Sequence, residues 1–490
     1  MNDPVPNSRI SLSVLRNWVS LSGLLVAAGG LFSFLLLLAL DAFARNANPY
    51  VGILAYLIAP SFVALGLAMV VLGLFLERRD ILSRREGKLL TFDLSRPRDR
   101  RRLVVFGVIG GVFLLVSAIG SYRSYHFTES VAFCGQACHT VMEPEYVTYL
   151  NSPHARVACS ECHIGPGAEW YVKAKISGLH QVYATAFNTF SRPIETPIRN
   201  LRPAQETCEQ CHWPKKFAGN MDLIFYHYLA DSTNTPYTVR LLMKVGGGDP
   251  ARGPVGGIHW HMNVANKVEY IATDEKRQVI PWVRVIDPQG VVTEYRTPSF
   301  KDDPSKHTIR RMDCMDCHNR PTHIYQSPNE AVDLSLALGR LDPRMPEIKK
   351  EAVKALLLPA STREEGLRKI AAALHERYRD DPRLEKTIAE VQAISRENFF
   401  PEMKASWKIY PNNIGHKNWP GCFRCHDGEH ATSDGKRSIK ANDCNACHVI
   451  LAQGVGKQLE NLSAKGHAFQ HPGGETGDMK CSECHNGAGP

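Results

Sequence analysis

Hydrophobic and polar positions divide this 490-residue chain into stretches of different periodicity. Residues 17–40, 51–76 and 103–122 are apolar runs without a charged side chain. Each is long enough to cross a hydrocarbon layer, which takes a helix of about 20 residues. They predict three membrane spans within an anchor covering residues 1–122. A cleaved secretory signal is the alternative for the first run, and Ala42-Phe43-Ala44 resembles a cleavage site. Its 24 residues exceed the apolar region of a signal, about 7–15 residues, and two more spans follow. The first run therefore reads as an uncleaved anchor. Farther along, residues 237–245 alternate, with Tyr237, Val239, Leu241, Met243 and Val245 on one face. That pattern predicts a half-buried strand. Residues 279–286, the turn Asp287-Pro288-Gln289-Gly290 and residues 291–296 predict a hairpin. Residues 328–398 turn helical. Ser361-Thr362-Arg363-Glu364 reads as a capping box ahead of Leu367, Ile370, Ala371 and Leu374, and Pro346, Pro359 and Pro382 divide the stretch into short helices.

Charge orients the anchor. Ten Lys/Arg fall in the 77–102 connection, whereas the 41–50 connection carries only Arg45 opposite Asp41. The basic loop belongs in the cytoplasm. This places the N-terminus inside and everything after residue 122 outside. The formal charge of +9 concentrates on that loop, so nucleic acid is not an expected partner.

The cysteines supply the chemistry. All 14 fall in seven pairs, each followed by a histidine. They are Cys134/Cys138-His139, Cys159/Cys162-His163, Cys208/Cys211-His212, Cys314/Cys317-His318, Cys422/Cys425-His426, Cys444/Cys447-His448 and Cys481/Cys484-His485. Two thiols at this spacing reach both vinyl groups of one haem, and the following histidine ligates the iron from the same side. Structural zinc or disulfides would not require the trailing histidine. The expectation is a membrane-anchored multihaem cytochrome c with seven covalent haems. Its fold would be mainly α, with much irregular haem-wrapping chain and a small β insert. After the anchor come a tri-haem region at 123–215, a haem-free β-rich insert at 216–312, the fourth motif with helices at 313–400, and a tri-haem region at 401–490. Covalent haem attachment occurs outside the energy-conserving membrane. The location expected is thus a bacterial inner membrane with the haem region in the periplasm.

A low-spin electron-transfer haem needs a second axial ligand, whereas a catalytic haem keeps that position open. Thirteen histidines lie outside the motifs, enough to saturate every iron. His154, His323, His416 and His430 lie within a few residues of a motif and are the first candidates. His180, one of His259/His261 (His259 preferred) and one of His467/His471 (His471 preferred) follow. His375 reads as an ordinary helix residue. Met142, three residues after His139, is either an axial ligand or packing against the ring.

An apolar run at 103–122 leads into FCGQACHTVMEPEY (133–146), then SPHARVACSECHIGPGAEWYVKAK (152–175) and ETCEQCH (206–212). Over roughly residues 103–215 this resembles the NapC/NirT family of membrane-anchored multihaem quinol dehydrogenases. The resemblance implies electrons taken from menaquinol or ubiquinol and passed, haem to haem, to a periplasmic cytochrome or terminal reductase. It implies that Met142 matches the family's unusual axial methionine, His154 the distal histidine ahead of the second motif, and Lys173 or Lys175 the lysine near the quinol. The family's acidic partner to that lysine has no clear match after Lys175, which leaves His180, Glu143 or Glu145 as proton acceptors. The chain departs from the family in having three spans and seven motifs where members commonly have one span and four or five haems. Its first motif carries an extra residue. The run 415–430 (GHKNWPGCFRCHDGEH) is more loosely similar to haem-pair segments of larger respiratory membrane cytochromes. Two other readings stay open: a relay subunit docked to another membrane protein, for which Gly107 and Gly111 form a G-x-x-x-G, and a terminal reductase.

Overall fold

The structure, a computed structural model, describes residues 18–43, 59–78, 96–137, 139–165, 168–198, 201–247, 256–262, 266–440, 444–474 and 480–488. The chain falls into two compact units, Met1–Phe133 with Ile164–Gly178, and Cys134–His163 with Leu179–Pro490.

In the first unit, the long helices α1 (Trp18–Phe43) and α2 (Ala59–Arg78) pack against each other in antiparallel fashion. Small residues make the contact. A Cβ built on Gly66 would fall on the Ala27 backbone, and one on Gly23 would lie 2.6 Å from the Gly66 carbonyl oxygen. Between apolar helices in lipid there is little hydrophobic drive, so close backbone approach supplies the attraction. The Ser20 hydroxyl adds a hydrogen bond to the Val70 carbonyl at 3.3 Å. Val19–Leu37 and Ala59–Leu76 are the segments of the described residues long and apolar enough to cross a membrane. The expected third span lies in α3 (Pro97–Thr128), a 32-residue helix whose apolar part runs only over Gly107–Gly120. Arg98, Arg100 and Arg101 at one end, and Tyr122 and Arg123 at the other, shorten it. Nothing described lies within 4 Å of a Cβ built on Gly107 or Gly111, so the G-x-x-x-G is not used in packing among the described residues. Two shorter helices follow along the chain, α4 (His139–Leu150) after the first motif and α5 (Ala168–Ala186) after the second.

The second unit has two antiparallel sheets and a helical subdomain. The first sheet has the order β1 (Asn220–Tyr228), β2 (Pro236–Lys244) and a last strand His448–Gly454, which comes from the far C-terminal region rather than from the insert. Tyr237, Val239 and Ile450 form its buried face. The predicted 237–245 strand is thus the centre of a sheet that the insert does not complete alone. The second sheet contains β3 (Lys267–Ile271), β4 (Trp282–Ile286), β5 (Val292–Arg296) and the short β6 (Arg310–Arg311), in the order β5-β4-β3-β6. The predicted hairpin is β4–β5, closed by Gly290 N–H donating to the Asp287 carbonyl at 2.9 Å. It begins at Trp282 because Pro281 has no N–H for the ladder.

Four helices follow: α6 (Pro328–Ala337), α7 (Ile348–Leu356), α8 (Arg363–Tyr378) and α9 (Leu384–Asn398). Ser327 and Glu330 form a capping box at α6. At α8 the cap sits one residue later than expected: Thr362 accepts from Glu365 N–H at 3.2 Å, and the Glu365 carboxylate accepts from Ser361 N–H at 2.8 Å. Val332, Leu341, Met345, Ile348, Leu374 and Val391 form the core. Lys349 is also in it, at 0% exposure. Its ammonium donates to the Asn329 carbonyl at 2.9 Å and pairs with Asp333, which also accepts from Tyr228 N–H at 3.1 Å. Burial pushes Lys349 down to about 8.

Two outcomes follow from this packing. Gly66→Val inserts atoms into the α1–α2 backbone contact and lowers the thermal midpoint of the detergent-solubilised protein by at least ~4 °C, while Gly107→Val leaves it unchanged. Lys349→Met leaves Asp333 buried without its cation and destabilises the haem-bearing unit by about 3–5 kcal/mol in denaturant titrations, and Lys349→Met/Asp333→Leu recovers most of that loss.

Candidate haem sites and their axial pairs

Each motif for which the structure describes both cysteines forms a helical turn or lies beside one, so that the histidine follows directly on the second thiol. Cys159–His163, Cys314–Cys317 and Cys481–Cys484 are single helical turns, and Gly421–Arg424 is a 3-10 turn. Asp313 caps the fourth motif, accepting from Met315 N–H at 2.8 Å. Consecutive motifs are neighbours in space. The Cys159 thiol lies within hydrogen-bond reach of Cys134, and Cys208 of Cys314. Cys138 and the side chains of His139 and Cys444 lie outside the described residues.

The thiols are placed less uniformly than one repeated motif implies, and Cys211 and Cys447 differ most from that expectation. At the third motif the helical turn Ala204–Cys208 ends on the first cysteine instead of starting there. Pro203 stands at its N-cap, and a proline without an N–H is best placed at a helix start, so the turn is spent by Cys208. Cys211 therefore lies beyond the helix and is exposed, its N–H donating to the Cys208 carbonyl at 3.2 Å. At the sixth motif Cys447 is half-buried and closes the turn Cys444–Cys447. The chain then passes directly into the strand His448–Gly454, not into irregular haem-wrapping chain, because Val449 and Ile450 pair with Leu242 and Leu241 of β2. Of the other thiols, Cys422 and Cys484 are exposed, whereas Cys134, Cys159, Cys162, Cys208, Cys314, Cys317, Cys425 and Cys481 are half-buried.

Opposite each of the six motif histidines other than His139 stands a second imidazole. Ring centres are 6.2 Å apart for His154–His212, 6.4 Å for His163–His323 and 6.3 Å for His259–His318. They are 6.0 Å apart for His261–His426, 6.3 Å for His416–His448 and 5.7 Å for His471–His485. A metal–imidazole bond of about 2.0 Å, with about 1.1 Å from nitrogen to ring centre, would put the ring centres of two imidazoles sharing one iron about 6.2 Å apart. Five pairs lie within a few tenths of an ångström of that figure, and the sixth is closer. The donor sets therefore fit the iron of a haem c.

Hydrogen bonds orient four of the opposing rings. Nδ1 faces a backbone carbonyl in His154 (Pro321, 3.1 Å), His323 (Glu145, 2.9 Å), His259 (Val245, 3.0 Å) and His261 (Ile258, 3.1 Å). A proton held on Nδ1 leaves the Nε2 lone pair toward the motif histidine. His416 and His448 both have a buried Nδ1 without a hydrogen-bond partner. Burial holds His163, His259, His261, His318, His416, His426, His448 and His485 below the usual imidazole range, and pushes His323 down to about 4. Neutral rings are the form that binds a metal.

His259 and His261 sit on one 3-10 turn, Ile258–Met262, and face different motifs. Two residues along such a turn rotate the side chain to another side. Where one of the two was expected opposite a motif, with His259 preferred, the structure places both there. Gly247 makes the turn possible: its φ is +91°, and a Cβ there would collide with the His259 carbonyl. His448 opens the strand His448–Gly454, so pairing with β2 positions the sixth motif. The Tyr237 hydroxyl donates to the Gln470 carbonyl at 2.7 Å, beside His471.

His430 is placed otherwise than expected. It is fully buried, with Nδ1 at 2.9 Å from the Asp427 carboxylate and Nε2 at 2.8 Å from the Ile280 carbonyl. Both ring nitrogens are thus directed at oxygens of the fold rather than at a motif histidine. His180 is exposed on α5 and faces no described motif histidine. His467 is turned to the Asn461 carbonyl at 3.0 Å, and His375 lies exposed on α8 beside Glu385. Met142 is half-buried on α4.

Of the two lysines, Lys173 lies 4.7 Å from the centre of the Trp170 ring. Lys175 lies 5.0 Å from the centre of the Tyr171 ring, 3.5 Å from Thr128 Oγ1, and forms an ion pair with Glu129. Glu129 was invisible to sequence reasoning, because 46 residues separate it from Lys175. Glu143 instead pairs with Arg363, and Glu145 accepts from the Tyr325 hydroxyl at 3.1 Å, with burial pushing its carboxyl up.

The N-terminal region of the NapC/NirT cytochrome c family matches residues 96–197. The chain is 42% identical to the cytochrome c-type protein ImcH of Geobacter sulfurreducens, over 98% of this chain and 97% of that protein. It is 31% identical to the cytochrome c nitrite reductase subunit NrfH of Nitratidesulfovibrio vulgaris, over 21% of this chain and 66% of that one. No solved structure matches it. With relatedness to ImcH over nearly its whole length and the family region spanning α3 and the first two motifs, the chain belongs to the NapC/NirT family of membrane-anchored cytochromes c, which carry covalently bound haem.

Proposed function

We propose that this protein oxidises quinol at the outer face of a bacterial inner membrane and passes the electrons through seven covalent haems to a periplasmic cytochrome or reductase. The observation that carries the electron-transfer part is the imidazole opposite each of six motif histidines. A haem that binds a substrate at iron keeps one axial position open, and a haem that only transfers electrons fills both. His323, His154, His259, His261, His416 and His471 are the proposed distal ligands of the second to seventh haems, in that order. Several reach a motif other than the nearest in sequence. His154 precedes the second motif and faces the third, and His416 precedes the fifth and faces the sixth. Neighbouring sites are thereby tied together.

The quinol part is supported by the family match over residues 96–197, which spans α3, Lys173 and Lys175. The proposed topology has three spans, the N-terminus and the basic 77–102 loop in the cytoplasm, and the haem motifs outside. α3 would deliver the chain to the first motif close to the bilayer surface. When bound, the haems supply one-electron redox chemistry. The chain's own residues orient them through paired imidazoles and provide polar groups for the quinol, among which Lys173 and Lys175 are proposed.

Two measurements test this reading. Stopped-flow mixing of the detergent-solubilised holoprotein with a menaquinol analogue is expected to reduce the haems rapidly, and a quinol-site inhibitor to abolish that reduction. Haems reducible by dithionite but not by quinol would leave a relay subunit. Replacing His416 with Ala converts about one seventh of the haem iron to a high-spin form by EPR, while His430→Asn leaves the whole set low-spin. A high-spin signal from His430→Asn would overturn the ligand assignment.

A further inference from the structure

The ion pair between Lys175 and Glu129 belongs to a small polar group in the membrane-anchored unit. Thr128 is the last residue of α3, and Glu129 follows on the turn after it. The turn is held by the Ser130 hydroxyl, which donates to the Phe127 carbonyl at 2.7 Å and accepts from Phe133 N–H at 3.1 Å. The Glu129 carboxylate is only 14% exposed. Among the titratable groups facing it are Lys175 and Tyr171, both on α5. Glu129 stands seven residues beyond the apolar run that ends at Tyr122, about 10 Å at helical rise, so it lies near the headgroup layer of the proposed topology. Phe127 and Ile176, next to the pair in sequence, are largely exposed and apolar.

A quinol hydroxyl is both a donor and an acceptor. A carboxylate beside an ammonium is the complementary pair: the hydroxyl donates to the first while its oxygen accepts from the second. We propose that Glu129 is the proton acceptor of the quinol site and that Lys175 holds the same hydroxyl oxygen, the ion pair opening to admit it. This rests on the quinol-oxidising reading above and replaces His180, Glu143 and Glu145 as candidate acceptors. Each quinol loses two protons and two electrons to become quinone. The protons leave in succession through the Glu129 carboxylate, which discharges to periplasmic water between them. The two electrons would be taken up singly by the haem that the first motif would hold, which supplies the one-electron acceptor.

The test uses the full-length holoprotein in detergent and a water-soluble menaquinol analogue. Glu129→Gln keeps the shape and hydrogen bonding of the side chain but removes the base, and it is expected to slow quinol-driven haem reduction about 100-fold. Glu129→Asp should recover most of the rate. Dithionite reduction and the visible spectrum stay as in the wild type. Should Glu129→Gln fail to accumulate with haem, Lys175→Met decides: a loss of about tenfold or more in quinol-driven reduction, with dithionite reduction intact, supports the proposal, and a rate within about twofold of wild type overturns it. A Glu129→Gln rate within about twofold of wild type overturns the proton-acceptor role alone. A wild-type protein that quinol does not reduce overturns the quinol reading, and this inference with it.

Discussion

The spacing of opposed imidazoles is the constraint around which the larger unit is arranged. Two imidazoles sharing one iron would stand about 6.2 Å apart, centre to centre, and six pairs here stand at 5.7–6.4 Å. Ring centres about 6 Å apart are also common in ordinary aromatic packing, so what sets these pairs apart is that the same spacing recurs opposite six motif histidines. The backbone must be set for it. That accounts for features that would otherwise be costly: Gly247 at positive φ beneath the His259 turn, and four Nδ1 atoms directed to main-chain carbonyls.

The apolar cores are secondary to that arrangement and act as its buttresses. The helical subdomain α6–α9 has a conventional core and could be read as an ordinary small bundle. Its use lies at its edges. α4, which follows the first motif, packs on α9, and Arg363 at the start of α8 pairs with Glu143. The buried Lys349–Asp333 pair joins α7 to α6, and Asp333 reaches β1 through Tyr228 N–H. β1 in turn pairs with β2, and β2 with the strand that His448 opens directly after Cys447. A rigid chain of contacts thus runs from the helical core to the sixth motif. Burying an ion pair gains little stability in itself, but a pair satisfied on every side admits one arrangement of its helices.

What the sequence made legible follows the range of the interactions. Local signals were readable: the motif spacing, the β4–β5 turn, the prolines at 346, 359 and 382 between helices, and a cap at α8 to within one residue. Signals that depend on distant partners were not. The strand His448–Gly454 is encoded more than 200 residues from the strand it completes. Motif spacing also said nothing of the local backbone at each site: the same C-x-x-C-H leaves Cys211 past the end of a helix and sets Cys447 at the mouth of a strand. Histidines 154, 323 and 416, singled out by proximity along the chain, each face a motif other than the one they adjoin, and His430, four residues after His426, faces no described motif histidine. Asp427 and the Ile280 carbonyl occupy both nitrogens of that ring, and Ile280 comes from 150 residues away. The same distance problem hid Glu129 behind a search confined to residues near Lys175.

The two units answer to different solvents, and their polar groups divide accordingly. In the anchor, Gly23, Gly30 and Gly66 bring α1 and α2 into backbone contact, which is how helices associate where water offers no drive. The charged pair Lys175–Glu129 lies at the end of α3, past the apolar residues, with the lysine partly exposed and the carboxylate largely covered. In the haem-bearing unit the reverse holds: imidazoles are buried and neutral, because a ring that carried a proton on both nitrogens could not bind iron. His430 is a buried histidine put to a different use. Faced by two acceptors, it ties Asp427 to the segment before β4 and serves the fold rather than the metal. The distinction between ligand and structural histidine therefore lies in what the second nitrogen meets: four distal candidates direct Nδ1 to a carbonyl and leave Nε2 open, and His430 leaves neither.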